Sequence, residues 1–234
     1  MAKGNKRGKL IVIDGTDGSG KATQTELLVK ALKNEGRKVK IIDFPEYYAN
    51  FFGKFIGHCL SEQYYNFVKV HPKIASILYA ADRLESKDKI KKWLKNGYIV
   101  VANRYASANQ IHQGGKIVNT KKREAFIRWL AEMEYKVFKI PKPDVVFYLS
   151  VPIPIVLKLI TERNKNKNRN YLGKKKDVHE KDVKFLENSR QSALWLTKTQ
   201  KGWIKIECVK NGKLDTRENI HEKIYEKIKK IIKK

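Results

Sequence analysis

The chain alternates between short apolar runs and longer segments in which apolar residues recur at helical spacing. The short runs cover residues 10–13, 39–42, 98–101, 145–149 and 203–207. Between the third and fourth runs, one helical face carries an apolar stripe, which we interpret as core packing: Phe126, Trp129, Leu130, Met133 and Val137. Strands that alternate with helices predict a parallel sheet with helices on both faces. The expected fold class is therefore α/β, with a parallel five-stranded sheet in a three-layer arrangement.

The first apolar run leads directly into a glycine-rich loop, and a helical pattern follows over residues 23–32. A strand, a loop of this spacing and a helix together predict a phosphate-binding P-loop and the P-loop NTPase fold. Glycines let successive N–H groups point at phosphate oxygens, and the helix N-terminus favours anions. We expect Lys21 to reach the β- and γ-phosphates. The expected phosphate-binding residues are Gly15, Asp17, Gly18, Ser19, Gly20, Lys21, Ala22 and Thr23.

One P-loop position departs from the usual pattern. Ser or Thr normally follows the lysine and binds magnesium through its hydroxyl, whereas Ala22 offers only its backbone N–H. Nucleotide oxygens, water and another carboxylate must then hold Mg²⁺, which is a ligand set this hard cation accepts. Asp17 lies within the loop, so we expect it to bind the metal. The alternative is that Asp17 caps the following helix.

Composition suits a protein with a buried core, since 41% of the 234 residues are hydrophobic. We treat residues 1–234 as a single domain. The apolar runs are all much shorter than the roughly 20 residues of a membrane helix, and no apolar segment after the basic start predicts a signal peptide. Cys59 and Cys208 fit no metal spacing and no disulfide framework. We therefore expect a cytoplasmic protein that does not enter the membrane.

The formal net charge of +27 is extreme and has two interpretations. A polyanionic partner such as nucleic acid is one, and a lysine-rich surface is the other. We favour the surface, because no cluster interleaves aromatic residues with the basic ones, and we expect no nucleic-acid partner. The segment 218–234 predicts an amphipathic helix with a solvated lysine face. Its isoleucines are expected to close a flank of the domain rather than lie on a membrane.

Taken in order, six segments resemble the thymidylate kinase family of P-loop nucleoside monophosphate kinases. They are GTDGSGKATQ at 15–24, FPEY at 44–47, YAADR at 79–83, NRYASANQIHQGGK at 103–116, PKPDVVFYLSVP at 141–152 and KDVHEKD at 176–182. The resemblance runs from residue 9 to about residue 186. It implies phosphorylation of dTMP to dTDP with ATP and Mg²⁺, and it implies a homodimer. The stripe on residues 126–137 could serve such an interface as well as a core.

The resemblance also implies roles for the acceptor residues. Arg104 would bind the acceptor phosphate, to which a guanidinium fork is well suited. Phe44 and Tyr47 would form the wall beside it, and Tyr79 would stack on the thymine. The remaining residues would contact the nucleoside: Arg83 at the base carbonyl, Asn109 and Gln113 in the base pocket, His112 at its rim, and Tyr105 against a ribose 2′-hydroxyl. Taken singly, Arg83 would be interpreted as an exposed helical ion pair, Tyr79 as a core residue and His112 as a surface or satisfied histidine.

Residues 163–182 resemble the family's lid. The P-loop has Gly18 and Ser19 where part of the family carries an arginine, so the lid is expected to supply the transfer arginine, from Arg163 or Arg169. Asn103 is a second departure, because the family pattern has aspartate at this position.

Two alternative functions remain open at this point. One is a kinase for another pyrimidine monophosphate such as dUMP. The other, suggested by Ala22, Asn103 and the charge, is a nucleotide- or nucleic-acid-binding protein with a degraded kinase site.

Overall fold

A computed structural model describes residues 7–61, 67–166 and 182–232. Five strands form one parallel sheet in the order β2-β3-β1-β4-β5. They are β1 (Leu10–Gly15), β2 (Val39–Asp43), β3 (Ile99–Asn103), β4 (Val145–Ser150) and β5 (Trp203–Glu207). Each lies within two residues of an apolar run, so the predicted α/β sheet is confirmed.

Helices connect the strands. The first four are α1 (Lys21–Asn34), α2 (Phe51–Leu60), α3 (Pro72–Glu85) and α4 (Lys87–Lys95), with a 3₁₀ turn at Phe67–Lys69. Next come α5 (Ala106–Ala108), which continues as a π-helical turn Asn109–Gln113, and α6 (Thr120–Ala131), which continues as a π-helical turn Glu132–Val137. The last three are α7 (Ile153–Asn166), α8 (Val183–Thr199) and α9 (Arg217–Ile232).

The central strand β1 packs against helices on both faces of the sheet. Its side chains alternate, because successive residues of a strand point to opposite faces. Ile11 and Ile13 belong to a core shared with α1, α7 and α9, whereas Leu10 and Val12 belong to a core shared with α4. All of β1 is buried. Burial on both faces accounts for the continuous apolar run of β1. Its carboxyl end is the part from which a ligand site is expected to form.

The apolar stripe on α6 is core. Phe126, Leu130 and Met133 are buried in a cluster with Tyr148 of β4, whereas Val137 is 66% exposed. The stripe is therefore taken up by packing within the domain. In the C-terminal helix α9, Ile220, Ile224 and Ile228 are buried in the core shared with α1. Within the described ranges, no helix is both long and apolar enough to cross a membrane.

A two-stranded hairpin, which the apolar pattern did not predict, precedes α9. It consists of β6 (Val209–Lys210) and β7 (Lys213–Leu214), joined through Asn211 and Gly212. Both turn residues have positive φ, of 51° and 73°, and an Asn-Gly pair adopts this turn readily. The hairpin brings the start of α9 next to the P-loop helix, where the Gln24 side-chain nitrogen donates to the Arg217 carbonyl at 2.9 Å.

Candidate active site

The glycine-rich loop has the backbone that a phosphate cradle needs. Gly18 and Gly20 have φ of +78° and +85°, a region that favours glycine. A Cβ on Gly18 would lie 2.8 Å from a side-chain carbon of Ile160 on α7. Gly20 is the N-cap of α1, and as a glycine it has no side chain that could bond the first N–H groups of the helix. The N-terminus of α1 therefore faces the loop, where its N–H groups favour an anion.

Lys21 is held across the mouth of the loop. Its ammonium group donates to the carbonyls of Gly15 at 3.0 Å and Thr16 at 2.8 Å, and it lies 4.0 Å from a carboxylate oxygen of Asp17. The side chain is 8% exposed. Lys21 also lines the cleft in front of the loop. This is the position from which it can meet phosphate oxygens.

Arg104 follows β3 in an unusual backbone conformation. Its φ of 64° is in the left-handed region, which is uncommon for a residue with a side chain. Its N–H donates to the Ile13 carbonyl at 2.9 Å, which fixes the backbone between the ends of β1 and β3. From there the guanidinium donates to Asp17 in the P-loop. The structure thus brings Lys21, Asp17 and Arg104 together at the carboxyl ends of β1 and β3.

Two spaces lie beside this cluster, and they share Phe44, Pro45 and Arg104 in their linings. The larger, the P-loop cleft, has a volume of about 970 Å³. Its lining comprises Asp17, Gly18, Gly20–Thr23, residues 41–49, Asn103, Arg104, Leu159, Glu162 and Arg217. The smaller, the inner cavity, is lined by Phe44, Pro45, Tyr79, Arg83, Arg104, Ala108, Asn109, His112 and Gln113. Arg104 lines both, so its side chain lies at the boundary between the P-loop cleft and the inner cavity.

Most of the predicted acceptor residues line the inner cavity, and two do not. Tyr47 lines the P-loop cleft. Tyr105 is fully buried behind Phe44, with ring centroids 5.6 Å apart, and burial raises the pKa of its hydroxyl far above the usual range. Tyr105 therefore contacts Phe44, which lines the cavity, but does not line the cavity itself.

Glu134 on the π-helical turn after α6 is a site residue that the sequence did not reveal. Its two oxygens accept from Nε and Nη2 of Arg83, each at 2.7 Å, and both side chains are almost completely buried. Burial alone would lower the pKa of Arg83, but the Glu134 carboxylate outweighs it and the pKa is raised. Arg83 is therefore a fixed cation in the cavity wall and not an exposed helical ion pair.

His112 connects the inner cavity to α8. Its ring stacks on Phe185, with centroids 5.9 Å apart, and its Nδ1 lies 3.3 Å from the hydroxyl of Ser189. Small residues allow this close packing, since a Cβ on Gly115 would lie 2.8 Å from the Ser189 nitrogen. Ser192 donates to the Gln110 carbonyl at 2.9 Å. His112 is buried, so the interpretation as a surface histidine is wrong.

The segment 44–50, which we call the acceptor loop, is anchored on α3 and α4. Asp82 accepts from the Glu46 N–H at 3.2 Å and from the Asn50 side chain at 2.8 Å. Lys89 donates to the Glu46 carboxylate at 2.8 Å. Burial raises the pKa of Asp82 to about 6, although the hydrogen bond from Asn50 opposes the shift. These contacts fix the backbone of the acceptor loop, which carries Phe44 and Tyr47, against α3 and α4.

Two further acids end strands at this edge of the sheet. Asp14 is fully buried and accepts from the Ser107 hydroxyl and from the Gly15 N–H; burial raises its pKa against the pull of Arg104 and Lys21. Asp43 is the register partner of Asn103, whose side chain donates to it, while burial raises the Asp43 pKa. Each acid directly follows an apolar run, and this position is a sequence signal by which both could have been predicted.

In the described parts of the chain, no group of three His, Cys, Asp or Glu residues could hold a metal ion.

The predicted lid arginines cannot be placed in this site. Arg163 belongs to α7, but its side chain is outside the described part of the structure. Arg169 falls within residues 167–181, which are outside it altogether. The prediction that the lid supplies a transfer arginine therefore stays a prediction.

Comparisons with known proteins agree on one family. The thymidylate kinase family model matches residues 13–224. The chain is 34% identical over 152 residues to the thymidylate kinase of Plasmodium falciparum, covering 65% of this chain and 66% of that protein. It is 28% identical over 202 residues to that of Thermosipho africanus, covering 86% and 90% respectively.

A solved structure gives the same result for the fold. The thymidylate kinase of Candida albicans superposes with a TM-score of 0.71 at 22% identity, covering 96% of this chain and 92% of the other. Because the family model spans most of the chain and includes the P-loop, the acceptor loop and the inner cavity, the chain belongs to the thymidylate kinase family, whose reaction is the phosphorylation of dTMP.

Proposed function

We propose that the chain transfers the γ-phosphoryl group of ATP to dTMP, giving dTDP and ADP, at the junction of the P-loop cleft and the inner cavity. The observation that carries this proposal is the position of Arg104, which lines both spaces and is paired with Asp17 of the P-loop. Phosphoryl transfer depends mainly on bringing two anionic groups together and neutralising them. A guanidinium at the junction serves both needs.

On the donor side, the P-loop would bind the β- and γ-phosphates of ATP. Its backbone N–H groups and the N-terminus of α1 favour anions, and Lys21 adds a fixed positive charge. As the γ-phosphoryl group moves, charge develops on its oxygens, and preorganised cations stabilise that charge better than water does. Lys21 and Arg104 are the cations at this point.

On the acceptor side, dTMP would place its base in the inner cavity and its phosphate at Arg104. Phe44 and Tyr47 would flank the phosphate, and Tyr79 would stack on the ring. Arg83, Asn109 and Gln113 would hydrogen-bond the base, with His112 at the edge. The role of Tyr105 towards the ribose stays a prediction, and its position makes Phe44 the contact through which it would act.

Mg²⁺ would be held chiefly by the nucleotide. Asp17 offers the hard oxygen ligand that this cation prefers, whereas Ala22 and Asn103 offer no charge. Asp43 lines the same cleft and offers a further carboxylate that could bind the metal. When bound, the metal neutralises phosphate charge. The positioning of the acceptor phosphate rests on Arg104 and the acceptor loop.

The lid would complete the site. We propose that Arg163 or Arg169 supplies the transition-state cation that Gly18 and Ser19 cannot. Replacing both with Ala should lower turnover much more than nucleotide binding, because that charge matters as the phosphoryl group moves. Single-turnover rates measured beside ATP and dTMP dissociation constants test this, and unchanged turnover in the double variant would contradict it.

We also propose that the protein is a homodimer, that it is cytoplasmic and that it has no nucleic-acid partner. The family supports the dimer. The absence of a disulfide among the described residues, where Cys59 and Cys208 are both free thiols, is compatible with a reducing compartment.

A coupled assay for ADP formation with dTMP, dUMP, CMP and AMP as acceptors tests the proposed function. We expect dTMP to give the highest kcat/KM. A higher value with dUMP would identify the kinase for another pyrimidine monophosphate. The absence of ADP formation with every acceptor, in protein that still binds ATP, would identify a degraded kinase site.

A further inference from the structure

Glu134 accepts hydrogen bonds from two of the residues that line the inner cavity. Arg83 donates to it through Nε and Nη2, each at 2.7 Å, and Asn109 donates through its amide nitrogen at 3.1 Å. Glu134 is 1% exposed, so these bonds form in the interior, where charge-assisted bonds are strong and an unmade bond is costly. One carboxylate therefore fixes two cavity residues at once.

Glu134 decides which atom of Asn109 faces a ligand. The Asn109 amide nitrogen has two hydrogens, and it donates to the Ser76 carbonyl at 3.0 Å as well as to Glu134. A flipped amide would point its oxygen at a carboxylate and a carbonyl, which cannot donate. The amide oxygen, an acceptor, is therefore the group that Asn109 has left for the cavity.

Glu134 also sets the orientation of Arg83. A guanidinium has five N–H donors in one plane, and Glu134 takes the edge formed by Nε and Nη2. The remaining donors point away from that edge, and Arg83 lines the cavity. The cavity wall consequently offers a donor from Arg83 and an acceptor from Asn109.

We propose that Glu134 is a positioning residue that sets the inner cavity to recognise a pyrimidine edge with a carbonyl next to an N–H. Thymine has this edge at its 4-carbonyl and N3–H. Cytosine has the reverse, with an amino group at position 4 and an acceptor at N3, so it would face donor with donor and acceptor with acceptor. This proposal rests on the proposed function, since it assumes that the base of the acceptor occupies this cavity.

The proposal separates two kinds of selectivity. Uracil carries the same edge as thymine, so Glu134 should contribute to discrimination against cytosine and not against uracil. The 5-methyl group, which alone distinguishes thymine from uracil here, makes no hydrogen bond. A general loosening of the site would instead weaken all three nucleotides together.

The variant Glu134→Gln tests this. The glutamine side chain would put an N–H₂ group among the donors of Arg83 and Asn109, so Asn109 would lose its fixed orientation. We expect the KM for dTMP to rise by roughly 10- to 100-fold, which is the effect of one lost charge-assisted buried bond, with little change in the KM for ATP. The ratio of kcat/KM for dTMP over dCMP should fall at least about tenfold, while the ratio for dTMP over dUMP stays constant. Glu132→Gln, an exposed acid two residues earlier, is the matched control and should change neither ratio.

Glu134→Asp covers the case in which Glu134→Gln does not fold. It keeps the charge that Arg83 needs and withdraws the carboxylate by one methylene, so we expect a folded protein with an intermediate loss of selectivity. Calorimetric binding of dTMP and dCMP repeats the comparison without catalysis. A dTMP over dCMP ratio that is unchanged in the folded variants, by kinetics and by binding, would overturn the proposal. Failure of the wild-type protein to form ADP would instead overturn the proposed function.

Discussion

At the scale of single residues, Lys21 shows how a short motif fixes chemistry. The loop spacing predicted a lysine over the phosphates, and the structure holds its ammonium with the Gly15 and Thr16 carbonyls. Such local geometry can be predicted because these two carbonyls lie within six residues of the lysine in the chain. Glu134 could not be predicted in the same way, since its partner Arg83 is 51 residues away and only the packing of the folded chain joins them.

Lys21→Ala should abolish most of the activity. The change removes a fixed cation over the β- and γ-phosphates, and preorganised groups of this kind contribute several kcal/mol to transition-state stabilisation. We expect at least about a hundredfold loss of turnover with an unchanged melting temperature. Lys30→Ala, an exposed lysine on the same helix, is the control. Near-normal turnover in the purified Lys21→Ala variant would contradict the phosphate-binding assignment.

Asp17 and Asn103 are tested by the magnesium dependence of activity. Asp17→Asn should raise the Mg²⁺ concentration for half-maximal activity and lower turnover, because the hard carboxylate ligand is lost. Asn103→Asp should shift the curve the other way, since it adds a carboxylate next to Asp43. Magnesium titrations of both variants at saturating nucleotide measure this.

The pairing of Asp17 with Arg104 gives the Asp17→Asn experiment a second readout. If Asp17 serves only to hold Arg104, turnover should fall at every magnesium concentration with no shift in the midpoint of the titration. That result would leave the metal held by nucleotide and water alone.

At the scale of elements, local patterns predicted the strands well and the breaks in helices poorly. The five strands lie where apolar runs predicted them because burial on both faces demands apolar side chains. The π-helical turns Asn109–Gln113 and Glu132–Val137 have no such signal, yet they carry Asn109, His112 and Glu134. Their conformation depends on packing against elements distant in the chain, which a one-dimensional pattern does not contain.

The acceptor loop depends on a buried acid whose protonation should affect stability. Burial raises the pKa of Asp82 from 3.8 to about 6, and no described residue donates to its Oδ2 atom. The folded state therefore binds this proton more tightly than the unfolded chain does. The resulting stabilisation is fully present below about pH 4 and is lost as the pH rises through about 6.

Asp82→Asn should remove this pH dependence. Asparagine keeps an oxygen for the Glu46 N–H and carries no charge at any pH, so the variant should gain stability relative to wild type as the pH rises from about 4.5 to about 8. The gain is at most roughly 3 kcal/mol from a shift of this size. Thermal unfolding at both pH values measures it, with the exposed Asp88→Asn as control. If the variant and the wild type differed in free energy of unfolding by the same amount at both pH values, the pKa of Asp82 would not be raised in the folded protein.

At the scale of the whole molecule, the charge of +27 and the acidic residues of the site have to be considered together. Asp17, Asp82 and Glu134 all accept hydrogen bonds from cations or amides in the site, so the interior acids position the groups that bind substrate. The dispersed lysines act over longer distances and favour the approach of anionic nucleotides. A basic surface therefore fits the proposed substrates without a nucleic-acid partner.

The proposed homodimer makes a prediction about which surface is covered. The stripe on α6 is taken up by the core, but α3 exposes Ile74 by 55% and Ile77 by 44%, and α2 begins with Phe51, which is 71% exposed. Ile74 and Ile77 are three residues apart and share a helix face. The same helix carries Tyr79 and Arg83, so a contact here would lie beside the acceptor site.

The double variant Ile74→Glu/Ile77→Glu should convert the dimer to a monomer. In a two-fold symmetric contact each substitution occurs twice, so four charges would have to be buried in place of four apolar side chains that each contribute about 1.5–3 kcal/mol. We expect the dimer dissociation constant to rise at least about a hundredfold. Sedimentation equilibrium measures the mass, and Leu214→Glu on the hairpin, 41% exposed in the wild type, is the control. A monomeric wild-type protein would contradict the homodimer, whereas a dimeric double variant would place the contact on another surface and leave Ile74 and Ile77 exposed to solvent.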